Sequence, residues 1–140
     1  IMATENLELG ATYAYLDSEV KSSVFEPGIV GNATPHAPEH SASAQAHWYI
    51  DSGVGEWKLS GIWTYTDSFW FDIFNTLEQP SYHLLDLRAG LTSASGRWQV
   101  AGFVDNATDE EYFTERFIFL DVANRRAPGR LYRVEATWYF

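Results

Sequence analysis

No cysteine occurs among the 140 residues. Disulfides and thiolate metal sites are therefore excluded, and the chain suits passage through an oxidising compartment. Basic residues are scarce: nine Lys and Arg stand against 19 Asp and Glu, for a formal charge of −10. That balance argues against nucleic-acid binding, which asks for clustered Lys and Arg. No stretch approaches the roughly 18 apolar residues of a membrane-crossing helix. A membrane barrel stays open, because its strands alternate apolar with polar residues. The opening Ile1-Met2-Ala3-Thr4-Glu5 has neither the basic n-region nor the apolar h-region of a secretory leader, and the chain is expected to be a piece of something longer. No Ser/His/Asp or Cys/His nucleophile set is legible. Neither an enzyme activity nor a cofactor is expected.

Aromatics, by contrast, are plentiful at 16% of the chain, and Trp and Tyr favour membrane interfaces. The last residues, Arg130 to Phe140, show how they are used. Successive strand side chains face opposite sides of a sheet. Tyr132, Val134, Ala136, Trp138 and Phe140 lie on one side, all apolar or aromatic, with the aromatics at the ends. Leu131, Arg133, Glu135, Thr137 and Tyr139 lie on the other. The length suits a tilted membrane-crossing strand of about 9–11 residues.

Five further stretches alternate in the same way. Asn6 to Glu19 sets Leu7, Leu9 and Tyr13 against Glu8 and Thr12. Ser41 to Ile50 sets Trp48 against Ser43 and Gln45. Trp57 to about Phe69 sets Trp63 against Lys58 and Ser60. Tyr82 to Thr92 sets Leu85 and Leu87 against Asp86 and Arg88. Arg97 to Asn106 sets Trp98, Val100 and Val104 against Gln99. We expect the first-named residues, with Val134 and Trp138, on a convex lipid-facing side. The second-named, with Arg133 and Glu135, are expected on a concave side, with some of Asp86, Arg88, Arg133 and Glu135 pairing across strands.

The links between strands alternate long, short, long, short, long. Residues 21–39, 70–81 and 109–129 are long. Asp51-Ser52-Gly53-Val54-Gly55 and Ser93-Ala94-Ser95-Gly96 are tight, and their glycines allow the positive φ of short hairpins. The first long link carries Pro27-Gly28, Gly31-Asn32, Pro35 and Pro38, which argue against helix. In an up-and-down sheet such links gather the tight turns at one end and the long loops at the other. Outer-membrane barrels look like this. The expected fold is all-β, an antiparallel up-and-down meander of six strands. Six strands cannot close a membrane barrel, whose minimum is about eight.

The terminal strand with its final Phe140 resembles the C-terminal strand of bacterial outer-membrane barrels. More specifically, the chain resembles the C-terminal portion of a TonB-dependent receptor, a plugged barrel of roughly 22 strands. Thr4-Glu5-Asn6-Leu7-Glu8-Leu9-Gly10, Ala37-Pro38-Glu39-His40-Ser41 and Tyr82 to Gly90 match strand openings of that family. Trp98 through Tyr112 is similar to its late motif, with the core Asn106-Ala107-Thr108-Asp109-Glu110-Glu111-Tyr112. Ala127-Pro128-Gly129-Arg130 and the terminal strand match its end. Ala107 and Arg133 depart from it, standing where a larger apolar residue and Gly are usual.

The resemblance implies a place in the bacterial outer membrane, with lipid and lipopolysaccharide around the barrel. It implies coupling to TonB through a plug domain that this chain does not contain. It implies a small imported nutrient: a siderophore-iron complex, cobalamin or a carbohydrate. In such barrels the alternating end of the chain, here Tyr132, Val134, Ala136, Trp138 and Phe140, is read by the barrel-assembly machinery. Two other readings remain: a soluble β-sandwich or lectin-like module using exposed Trp, and a barrel without a plug.

Some clusters have candidate roles. Arg125, Arg126 and Arg130 precede the last strand and suit lipopolysaccharide phosphates or an anionic ligand; a solvated loop end is the preferred reading. Trp70, Phe71, Phe74, Phe113, Phe117 and Phe119 either stack on a ligand or pack the loops together. His36-Ala37-Pro38-Glu39-His40 has zinc donor types, but Pro38 prevents the helical pairing and a strand entry is the reading. Asp105 to Glu111 is acidic yet lacks the spacing and glycine of a calcium loop. Asn106 and Asp109 are instead expected to shape the strand exit.

Overall fold

The computed structural model describes residues 1–140. One antiparallel sheet dominates. Its strands are β1 (Met2–Thr4), β2 (Leu7–Tyr15), β3 (His40–Ser52) and β4 (Gly55–Thr66). Two short strands follow, β5 (Phe69–Trp70) and β6 (Glu78–Gln79), and then β7 (Tyr82–Ser93) and β8 (Trp98–Asp105). A second ribbon, β9 (Phe113–Ile118) with β10 (Val122–Arg126), precedes β11 (Leu131–Trp138). The main sheet runs β1-β2-β3-β4-β7-β8-β11, while β5 pairs only with β6 and β9 only with β10. Once those ribbons are set aside, every strand lies beside its neighbour in sequence, which is the expected meander.

Several boundaries differ from the expectation, among them β4, which stops at Thr66 rather than near Phe69; three have a clear local reason. The six expected strands gain a seventh, because Met2–Thr4 folds back on β2 across a turn at Glu5 and Asn6. The first long strand stops at Tyr15 rather than Glu19. Beyond it the chain pairs within its own loop, where Val20 donates to Asn32 and Gly31 donates to Val20. At the far end β11 stops at Trp138. Tyr139 still donates to Arg97 (2.8 Å), but Phe140 has no ladder partner and is fully exposed. The proline-rich first loop also holds one 3-10 turn, Pro27–Ile29, with its proline in the first turn where no N–H is missed.

Register confirms the two faces. One row across the sheet reads Leu7, Trp48, Leu59, Ala89, Gly102, Val134; the next row on the opposite side reads Glu8, His47, Ser60, Arg88, Phe103, Arg133. No Arg or carboxylate side chain shares the face of Trp98, which pairs directly with Trp138. The tight turns, Gly53-Val54 and residues 94–97, sit at the same end as Glu5-Asn6, and the three long links sit at the other. At the first of these Gly55 is required: its φ is +146°, and a Cβ would lie 2.0 Å from the Thr92 carbonyl oxygen.

A packed core is almost absent. Only eight of the 140 residues are buried, whereas 56 of 75 backbone hydrogen bonds lie within the strands and helical turn. The ladder, not a core, holds this sheet. Val134 is 82% exposed, Tyr13 67%, Trp138 59% and Trp48 52%. A soluble sandwich would bury that face against a second sheet, and no second sheet covers it. Trp57, Trp98 and Trp138 mark the turn end of the apolar face, and Tyr13, Tyr15, Trp63 and Tyr65 the loop end. Between them run mostly Leu, Val, Ala and Gly, with Trp48 the aromatic of the middle rows. This is the arrangement of a lipid-facing band between two aromatic girdles.

Candidate functional site

The long loops at one end are knitted into a single unit. Asn75 does most of this. Its Nδ2 donates to the Ala33 carbonyl (3.1 Å), and its Oδ1 accepts from the Ala33 amide (2.9 Å). Asn32 reaches back to the Ile73 carbonyl at 2.9 Å, and the His36 amide donates to Trp70 at 2.8 Å. Asn75 adopts φ +55°, a conformation that Asn tolerates better than most residues. The first and second loops are thereby tied by bonds spanning about forty residues of chain.

Asp72 builds the turn that presents Asn75. Its carboxylate accepts from the Thr76 hydroxyl (2.9 Å) and from the Leu77 amide (2.8 Å). Burial alone would raise the Asp72 pKa; the bonds from Leu77, Thr76 and Phe74 outweigh it and hold the carboxyl below its ordinary value. Gln79, 2% exposed, ties the second loop to the third by accepting from the Phe113 amide at 2.8 Å. Arg116 Nη1 adds a bond to the Glu78 carbonyl. A cavity of about 460 Å³ lies between these loops, walled by Phe71, Phe74, Leu77, Arg116, Phe117 and Ile118.

Asn106 and Asp109 lie at the exit of β8. Asn106 is 6% exposed, and its side chain brackets Glu110, accepting from the amide and donating to the carbonyl, both at 2.9 Å. Its own amide donates to Asp86 (2.8 Å). Asp109 accepts from the Arg130 amide at 2.8 Å, at the entry to β11. Gly129 leaves room for this bond, since a Cβ there would stand 2.9 Å from Asp109 Oδ1. Both Asn106 and Asp109 have positive φ. Tyr112 stacks on Tyr82 with centroids 4.5 Å apart, and burial, then the neighbouring Tyr82 and Asp86, raise its phenol pKa. The motif therefore fastens the ends of β7, β8 and β11 to one another.

The remaining candidates are dispersed. Arg125 faces Glu115 at 3.7 Å and Arg126 faces Glu111 at 2.9 Å, while Arg130 donates to the Tyr132 hydroxyl at 3.5 Å. These three guanidiniums each have a partner and form no shared cluster. Phe71 is buried beside Phe69 and His36; Trp70 is half-buried. Phe113 lies under Arg116 at 4.8 Å and Arg126 at 6.0 Å. Residues 113–116 belong to β9, and residues 109–112 lead into it without regular structure. The imidazoles of His36 and His40 are taken up by separate aromatic neighbours, Phe69 and Phe71 for the first, Tyr13 and Tyr15 for the second. Sequence reasoning missed Asn75, Asp72 and Gln79. Asp72-Ile73-Phe74-Asn75-Thr76 does carry a turn signal, an Asp followed by Asn and Thr; Gln79 carries none.

The opposite, polar face holds a second group. Arg133 makes a two-pronged pair with Asp105, at 2.8 and 3.1 Å. The expected partners were Asp86 or Glu135. Asp105 wins because it lies diagonally across the β8–β11 pair, next to the Arg133–Phe103 rung. Thr12 bonds Ser43 at 2.7 Å and His47 bonds Ser60 at 2.9 Å on the same face.

Comparison with known proteins accords with this geometry. Residues 4–107 match the family model described as TonB dependent receptor-like, beta-barrel. No curated protein sequence matches. Among solved structures, the ferric yersiniabactin uptake receptor FyuA from Yersinia pestis is similar with a TM-score of 0.87 and 20% identity, over 96% of this chain and 21% of that one. The siderophore receptor PiuA from Acinetobacter baumannii gives 0.77 and 24%, over 96% and 19%. BauA, the ferric preacinetobactin receptor of the same organism, gives 0.76 and 23%, over 96% and 20%. The chain thus spans about a fifth of each, and at these identities the likeness concerns the fold. The family match ends at Ala107, so the last loop and strand rest on the structural likeness.

Proposed function

Given that the chain belongs to the TonB-dependent receptor-like β-barrel family, a family of receptors and transporters in the bacterial outer membrane, we propose that it forms part of the wall of a receptor importing a scarce nutrient. A siderophore-iron complex is the first class to test, ahead of cobalamin or a carbohydrate; FyuA, PiuA and BauA are named for ferric complexes or siderophores. The rest of the barrel and a plug domain that engages TonB belong, in this reading, to the parts of the receptor outside these residues. Lipid and lipopolysaccharide surround the outer face, and the barrel-assembly machinery reads Tyr132 to Phe140.

One observation supports this reading above the others: a broad apolar face, rimmed by aromatics at both ends, stands exposed on a sheet with almost no core. Such a face is tolerated in lipid and rarely on a soluble monomer. The knitted loops stand at the end where an external ligand would arrive.

Disruption of the gene in its own organism, followed by uptake of radiolabelled ferric siderophores, cobalamin and oligosaccharides, tests the class. Loss of one uptake, restored by the intact gene but not in a TonB-null background, is expected. Unchanged uptake of all three classes would refute the import reading as framed.

A further inference from the structure

We infer that the inner face carries an anion-binding cleft organised by Arg88 and Lys58, which takes one carboxylate or phosphate group. The reading uses the inner face of the barrel and does not depend on which nutrient is imported.

The cleft has a volume of about 310 Å³ and opens on the polar side of the sheet, walled by Lys58, Ser60, Arg88 and Phe103 together with two carboxylates, Asp86 and Asp105. Two cations line it, and neither forms an ion pair. That is unusual in a chain with 19 acids and nine Lys and Arg. Arg133, one strand beyond Phe103, is already engaged by Asp105.

Arg88 is held in place without being neutralised. The row Arg88, Phe103, Arg133 crosses three strands. The Phe103 ring is flanked by both guanidiniums, Arg88 at 4.9 Å and Arg133 at 4.8 Å. A guanidinium lying over a ring offers its N–H edge outward, a planar fork matched to two oxygens. Arg133 spends its edge on Asp105. The Arg88 edge has no hydrogen-bond partner within the chain, so the same aromatic support that orients a used fork also orients an unused one.

Lys58 supplies the second charge. It lies on the neighbouring strand opposite Gly90, and its Nζ stands 5.0 Å from the Tyr49 ring centroid. It shares the cleft with Arg88, whose Nε would lie only 3.9 Å from a Cβ placed at Gly90. Ser60, directly opposite Arg88, adds a hydroxyl. The two carboxylates of the cleft are each engaged within the chain, Asp86 accepting from the Asn106 amide and Asp105 paired with Arg133.

The group can come from two sources. Either another part of the same receptor projects an acidic side chain into the barrel, or a free anionic solute rests there. Lys58 reports on both when it is read against the same residue in Arg88→Gln; the chain's other lysine, Lys21, is itself held by Glu19 at 2.6 Å. An anion held at the ammonium keeps it protonated and slows acylation.

The experiment labels the full-length receptor in detergent with an amine-reactive ester and reads Lys58 by mass spectrometry, with and without inorganic phosphate, in wild type and in Arg88→Gln. Protection of Lys58 of about tenfold is expected, the change in free amine that one unit of pKa brings. Arg88→Gln should abolish it, while the barrel keeps its heat-modifiable electrophoretic mobility. Protection without added phosphate assigns the site to an acidic side chain of the receptor. Protection that appears only as phosphate rises assigns it to a free anion. Equal labelling rates for wild type and Arg88→Gln under both conditions overturn the site. Unchanged import on gene disruption with Lys58 protection intact would leave the site standing and sink the import reading; an import defect with Lys58 unprotected would leave the import reading standing and sink the site.

Discussion

Val134→Arg probes the orientation of the whole sheet. Val134 is 82% exposed, so on a soluble surface its replacement would change stability by within about 0.5 kcal/mol. In a barrel wall it faces hydrocarbon. With a rise of about 3.4 Å per residue and a tilt of about 40°, Val134 stands roughly 10 Å from the level of Trp138, near the middle of an apolar band about 25 Å tall. An arginine there costs about 2–4 kcal/mol. That corresponds to about 30- to 800-fold in the folding equilibrium. Glu135→Arg supplies the control, one residue along at the same depth but on the inner face; its side chain stays in water, and the cost should not exceed about 1 kcal/mol. The assay folds the full-length receptor into lipid vesicles across a urea series and reads the heat-modifiable band. Equal costs at positions 134 and 135 would falsify the assignment of faces; a larger cost at 135 would invert it.

Deleting Phe140 should lower the amount of folded receptor in the outer membrane while leaving ligand affinity per folded molecule near wild type, since Phe140 stands beyond the ladder and away from the loops. Normal receptor levels with weakened binding would show that its role is different. Asn106→Ala removes both bonds to Glu110 from a buried position and should cost about 1–3 kcal/mol, seen as faster proteolysis within residues 109–129; unaltered cleavage would mean that the exit turn stands without it. Asp72 has a lowered carboxyl pKa in the folded loop, so its stabilisation is present above the ordinary carboxylate value and is lost as pH falls through the folded value. Amide exchange at Thr76 and Leu77, corrected for intrinsic rates, should accelerate on acidification in wild type and much less in Asp72→Asn. Identical profiles for the two proteins would remove Asp72 from the account.

Strand faces were legible from residues alone because side-chain direction in a strand repeats every two residues. Leu7, Trp48, Leu85, Val100 and Trp138 could be placed on one side without knowing which strands pair. The end at which the loops gather followed from the alternation of short and long links. Where local pairing competes with the main ladder, that periodicity says less. Residues 16–20 and 67–70 continue the strand pattern yet leave the sheet to pair within their own loops.

Tertiary structure alone decided the polar contacts. Arg133 was expected to pair with Asp86 or Glu135; strand register instead brings Asp105 to it and leaves Arg88 open. Asn75 and Gln79 lie in segments with no period, and their partners at Ala33 and Phe113 stand 42 and 34 residues away. Period-two alternation is a property of one strand, so a single sequence displays it. A hydrogen bond between loops depends on how distant backbones meet, and only the folded sheet brings those loops to the same end.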